Sequence, residues 1–299
     1  MQTTQTINVD RFKNAVGFTA TFSQWGNRRK ADIEQVTTDA DKRRLRLSKE
    51  LIQAEEYDAI KSYFGELRQW IYSRTVPSFF KEGFQLASLE AVETIEARMR
   101  KAVTQDLPPL IRALLAVYPD KIEQARIALN GQFNPGDYPN ADQLVQQFKI
   151  TWNWIAFTTP EALPPELRAA EEDKMRKQVA DAGEQIILAM QTALQDLIAH
   201  ALDKLTPAAD GKPKIFRDSL LGNIQDFIET FPSRNFMGDA DLAGLVTKAK
   251  TVLAGTNPDT LRKYSSVRES TAAQFGEIKQ ALDGMIETRK ARAFDLSED

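Results

Sequence analysis

Residues 166–205 read ELRAAEEDKMRKQVADAGEQIILAMQTALQDLIAHALDKL, and this stretch sets the expectation for the whole fold. Within it Met175, Val179, Ala182, Ile186, Met190, Ala193 and Leu197 recur at steps of four, three, four, four, three and four. That spacing puts side chains on one face of an α-helix. At 1.5 Å per residue such a helix is a rod roughly 60 Å long. Helices of this length depend on lateral packing, so a partner running alongside is expected.

Outward from this rod the helical spacing continues. Toward the C-terminus, a loop with Pro207, Gly211 and Pro213 precedes helical patterns over 215–231, 239–254 and 257–294. The last opens on Asn257-Pro258, a cap followed by proline at the first position, and aligns Leu261, Tyr264, Phe275, Ile278, Leu282 and Met285. Toward the N-terminus, Pro160 to Pro165 is a break, and Leu144, Phe148, Trp152 and Ile155 read as a helix before it. Asn130 to Asn140, with Gly131, Pro135, Gly136 and Pro139, reads as a loop and a domain boundary. Ser88 is an N-cap for a helix carrying Leu89, Val92, Ile95, Met99 and Val103. Pro108 and Pro109 suit the first turn of the next helix, and Pro119 is a kink or a division.

From Asp39 to about Arg74 the stripe Leu47, Leu51, Ala54, Ile60, Phe64, Leu67 and Ile71 predicts one long helix. Val9 to Ser23 reads as a shorter helix closed by Trp25-Gly26-Asn27. The exception is the neighbourhood of Pro77 and Gly83, where Phe79, Phe80, Phe84 and Leu86 suggest a small hairpin at 76–87. The expected fold is therefore all-α: an elongated antiparallel helical bundle with long coiled-coil-like helices, 166–205 and 258–294, and at most one small β-hairpin. The expected division is 1–130 and 141–299, or one continuous bundle.

The 299 residues contain no Cys and a single His, with a net charge of -3. Without Cys there are no disulfides, thiolate nucleophiles or thiolate metal sites, and a reducing, cytoplasmic setting is the default. The polar N-terminus lacks the apolar core of a signal peptide, and no stretch reads as a membrane span. His200 alone excludes multi-histidine metal sites and most acyl-transfer triads, and it reads as a residue on the flank of the long helix. The turns Asn130-Gly131 and Ala254-Gly255-Thr256 lack the Walker lysine and its spacing. The carboxylate runs Glu55-Glu56 and Glu171-Glu172-Asp173 read as solvated helix surface beside Lys and Arg. No catalytic, cofactor-binding or metal-ligating residue is nominated, and the chain is not expected to be an enzyme.

Two features could bind macromolecules. Between Arg11 and Glu50 lie ten Lys or Arg against five Asp or Glu. The candidates from this segment are Arg28, Arg29, Lys30, Lys42, Arg43, Arg46 and Lys49, with Lys42, Arg46 and Lys49 expected on one helical face. A solvated helix face with internal ion pairs would carry the same residues. The second feature is aromatic. Phe79-Phe80-Phe84 and Trp152-Trp154-Phe157 suit either a core or a binding surface, and Phe79 and Phe80 are the better surface candidates because neighbours on a strand face opposite ways.

Three segments carry a resemblance: FSQWGNRRK from Phe22 to Lys30, VPSFFKEGF from Val76 to Phe84, and FRDS from Phe216 to Ser219. Together they resemble a family of helical proteins of unknown function from bacteria, plasmids and phages. The resemblance implies a gene neighbourhood with a MoxR-type AAA+ ATPase and a von Willebrand A domain protein, and hence a role as adaptor or assembly partner. The functional expectation is a non-catalytic helical interaction or scaffold protein, a candidate partner of a AAA+ remodelling complex. The alternative is a nucleic-acid-binding protein using segment 28–49.

Overall fold

A computed structural model describes residues 15–78, 83–155, 164–207, 214, 217, 219–235 and 237–295. Among the described residues helix of all kinds is the majority conformation, about 70%, yet the fold is mixed α/β. Among the described residues there are six strands and nine α-helices. The strands are β1 (Ala15–Ser23), β2 (Arg28–Lys30), β3 (Ser48–Glu50), β4 (Val76–Pro77), β5 (Gln85–Ser88) and β6 (Lys149–Ile155). One sheet has the order β4-β5-β1-β6, and a second pairs β2 with β3. The all-α expectation is thereby overturned, since six strands exceed one small hairpin.

The longer strands carry residue types compatible with a pleated surface, a signal that helical spacing obscured. β1 reads AVGFTATFS, rich in aromatic and Thr side chains that sit well on a pleated surface. β6 reads KITWNWI, in which Ile150, Trp152 and Trp154 alternate with polar Lys149, Thr151 and Asn153. The spacing Leu144, Phe148, Trp152, Ile155 fits a helix equally well, but only α4 (Ala141–Val145) is helical there. The expected hairpin is present: β4 and β5 pair antiparallel, Val76 opposite Leu86, and Gly83 sits at φ 85 in the turn. Ser78 N–H donates to Phe84 O at 2.9 Å at its mouth.

Helix α1 (Glu55–Tyr72) buries Tyr57, Ile60, Phe64, Leu67 and Ile71, and its first turn carries Glu55, Glu56 and Asp58, which complement the helix dipole. It begins sixteen residues later than the periodicity suggests, counted from Asp39 to Glu55. The helices α2 (Leu89–Lys101) and α3 (Leu107–Leu129) follow each other through a π-helical turn at Ala102–Asp106. Pro108 and Pro109 lack the N–H that Thr104 O would accept at either α or π spacing, and a widened turn relieves the clash of each ring with the carbonyl four residues back. α3 runs on through Pro119 undivided.

The chain forms two compact units, 1–17 with 72–91 and 155–299, and 18–71 with 92–154. The first unit is built on α5 (Pro165–Leu205) and α9 (Ser265–Asp295), which pack along each other. They run in opposite senses, because Glu184 meets Arg289 while Gln195 meets Asp283. α6 (Ser219–Arg234), α7 (Ala240–Ala254) and α8 (Pro258–Lys263) complete its helical layer. Its core joins Ile186, Met190, Leu194 and Ile198 of α5 to Phe227 and Phe231 of α6 and Phe275 and Leu282 of α9, with Leu86 of β5. The side chains of Met175 and Val179 lie outside the described residues. The pattern expected as one helix from Asn257 is divided at Tyr264, whose φ of -119 is extended. Among the described residues no helix is long and apolar enough to cross a membrane.

Candidate interaction site

The basic segment belongs to the second unit and is neither a helix nor a loose loop. β2 and β3 pair antiparallel, with Arg28 opposite Glu50, Arg29 opposite Lys49 and Lys30 opposite Ser48. The ladder extends at both ends through Ala31 N–H to Leu47 O at 3.0 Å and Leu51 N–H to Asn27 O at 2.9 Å. Asn27 closes it: its buried amide donates to Ile52 O at 2.7 Å and accepts from Ile52 N–H at 2.9 Å, acting as one more rung. Behind it, Trp25 is buried edge-on against Tyr57 and Tyr118, and Tyr57 OH donates to Trp25 O at 2.6 Å.

Residues 130–138 strap the ribbon. Gln132 accepts from Asp32 N–H at 2.8 Å and donates to Asp32 O at 2.6 Å, a two-way amide pairing across a hundred residues. Tyr138 OH donates to Leu51 O at 3.0 Å. Lys49 donates to Gln132 O at 2.6 Å and lies 2.7 Å from Asp137 Oδ2, with the two side chains only 9% and 17% exposed. That contact is an ion pair outside hydrogen-bond alignment. A side chain at Gly131 would sit 2.9 Å from Gln35 Oε1, so glycine there permits the close approach.

The nominated cations therefore divide by role. Lys49 is spent inside the scaffold. Arg29 folds back on the carbonyls of Gly26 and Arg28 at 2.7 and 2.9 Å, and Lys42 pairs with Glu34 at 3.2 Å. Arg46 is exposed but bends to Leu45 O at 3.2 Å. Arg28, Lys30 and Arg43 are exposed and, among the described residues, carry no ion pair. Arg44, 89% exposed, touches Asp41 only at 3.9 Å. The helical face expected to align Lys42, Arg46 and Lys49 does not exist: Lys42 and Arg43 lie in a single 3-10 turn capped by Asp41, and Lys49 is on β3. Phe79 and Phe80 lie outside the described residues.

The sign of the charge changes beside the ribbon. A cleft of about 620 Å³ at the start of α1 is lined by Glu50, Glu55, Glu56 and Asp58, with Lys121 opposing them.

Two clusters escaped sequence reasoning. Glu96 of α2 accepts the indole N–H of both Trp152 and Trp154, and Arg100 Nε at 2.7 Å; the Trp154 and Trp152 bonds hold its carboxyl below the usual range. Asp106, at the end of the π-turn, is held by Lys101 at 2.5 Å, Tyr63 at 3.0 Å and Arg98 at 2.8 Å, which lowers its pKa, the Lys101 bond foremost. The Trp-x-Trp alternation was legible, but its partner lies 56 residues away. Both acids are biased toward the ionised form, the opposite of a general acid kept protonated near neutrality. His200 is exposed on α5, and among the described residues no group of three or more His, Asp or Glu could hold a metal ion. No protein-family model, curated protein or solved structure matches the chain.

Proposed function

We propose that this chain is a non-catalytic interaction protein whose strapped ribbon and adjoining turn, through Arg28, Lys30, Arg43 and Arg46, engage an acidic surface on a protein partner. The observation that carries this reading is the division of labour among the cations. Those needed by the scaffold are consumed at short range, whereas Arg28, Lys30 and Arg43 remain exposed and, among the described residues, outside any close ion pair, although Glu50 stands opposite Arg28 in the ladder. A rigid support lowers the ordering cost of binding. Glu50 within the ribbon and the carboxylates of Glu55, Glu56 and Asp58 beside it would repel a continuous phosphate track, which favours a protein over a nucleic acid. By the resemblance of its motifs, the partner class is a AAA+ remodelling ATPase.

The test is affinity capture from the native host with the intact chain and with a triple Arg28→Glu, Lys30→Glu, Arg43→Glu variant. A stoichiometric protein complex that is lost in the folded variant is expected. Retention of the complex, or steep salt-dependent binding to nucleic acid in its place, would overturn the reading.

A further inference from the structure

β6 lies at one end of the sheet order, so one side of this seven-residue strand is an edge. Among the described residues, no backbone group of Lys149–Ile155 bonds outside the sheet. Proteins usually blunt a long edge with proline, bulges or several charges. β6 has no proline, and Lys149 at its start is its single charge.

A groove of about 440 Å³ is lined by the first three residues of this strand. Its walls are Val145, Phe148 and Ile150 on the strand side and Val103, Leu107 and Ile111 from the π-turn and α3. Val103 stands on the widened turn and is 38% exposed. The groove is mainly apolar, and it bears two exposed cations, Arg112 and Lys149, neither in an ion pair among the described residues.

We infer that the open edge of β6 and the groove lined by Lys149, Ile150 and Thr151 dock an extended peptide segment of a partner protein in which bulky apolar residues alternate with acidic ones. A peptide adding to the edge takes the sheet's two-residue alternation, so a residue opposite Ile150 points to the same face as Ile150 and a residue opposite Lys149 to the other. Main-chain bonds to β6 supply register, the groove takes an apolar side chain, and Arg112 and Lys149 select acidic neighbours. A small amphiphile would use the groove but leave the strand edge unsatisfied. The surface shares no residue with the cationic ribbon and stands independently of the function proposed above.

The test uses a fluorescein-labelled heptapeptide alternating Asp with Val and Ile, titrated against the full chain by fluorescence anisotropy. Saturable binding is expected, weakened about tenfold or more by Arg112→Glu combined with Lys149→Glu. Binding should be lost when alternate peptide nitrogens are methylated, and hydrogen exchange at 149–155 should slow in the presence of the unmodified peptide. Both substitutions are at exposed positions, and a thermal melt verifies folding. Three results would overturn the inference: no saturable binding, equal binding of the methylated peptide, or exchange protection elsewhere in the chain. Concentration-dependent self-association that protects 149–155 without peptide would assign the edge to a second copy and overturn it as well.

Discussion

The indole N–H of Trp152 donates to Glu96 Oε2 at 2.7 Å, and Trp154, two residues on and on the same face of β6, donates to that same oxygen at 3.1 Å. One carboxylate thus ties a helix to a strand, and Phe18 backs Trp154 with ring centroids 4.7 Å apart. Because the folded pKa of Glu96 is depressed, chiefly by the Trp154 bond, its stabilisation is present above the ordinary glutamate value. It is lost as pH falls through the lower folded value. Tryptophan emission should therefore change in acid before global unfolding, and Glu96→Gln should remove that step. Since the site is partly exposed, the same variant should cost about 1 kcal/mol at neutral pH by chemical denaturation. An acid emission step that persists in Glu96→Gln would show that another group controls it.

Lys49 and Arg43 belong to the same basic segment, yet charge reversal should affect them to very different extents. Lys49→Glu places a second carboxylate against Asp137 in a nearly closed site and should destabilise the chain by about 3–5 kcal/mol. Arg43→Glu, on exposed surface, should stay within about 0.5 kcal/mol. Urea denaturation of the two variants makes the comparison; equal stability would mean that Lys49 is not part of the strap.

Tyr118 donates to Pro139 O at 3.1 Å, and burial, with a smaller contribution from Tyr138, pushes its pKa up to about 12. The folded pKa lies above the unfolded value of 10.0, so its stabilisation is complete below pH 10 and is lost as pH rises toward 12. Tyr118→Phe should cost about 1 kcal/mol at neutral pH through the lost hydrogen bond. It should also shrink the alkaline loss, without abolishing it, because Tyr57, Tyr63 and Tyr138 shift in the same direction. Melts between neutrality and pH 11 check both outcomes, and an unaltered alkaline slope in the variant would discount Tyr118.

In the first unit, Asp239 caps α7 through Leu242 N–H at 3.0 Å and accepts from the fully buried Gln191 at 2.9 Å. Asp239→Ala removes the cap and leaves the Gln191 amide without its acceptor, which should cost about 2–4 kcal/mol. Hydrogen exchange should rise first at the start of α7. A change under about 1 kcal/mol would mean that neighbouring groups replace both bonds.

The sequence by itself determined the helices whose apolar periodicity is long: the 41-residue α5, the seam Ile60, Phe64, Leu67, Ile71 of α1, and the hairpin around Gly83. It also placed Pro108 and Pro109 in the first turn of α3, although that turn continues the π-turn instead of opening a free helix end. Each of these rests on chemistry within a few residues. The other strands were decided only by tertiary structure. In 141–155, apolar residues fall at spacings compatible with both periods, and the choice went to a strand for β6, where Glu96 meets both tryptophans. In 39–54, helical spacing lost to the bonds of Asn27 with Ile52, Gln132 with Asp32 and Lys49 with Asp137, partners 25, 100 and 88 positions apart by residue number. The same distant partners sorted the basic residues into those that hold the ribbon and those left exposed. Charge and spacing name which residues are cationic, but whether a carboxylate or carbonyl stands within 3 Å depends on segments that meet only when the chain has folded.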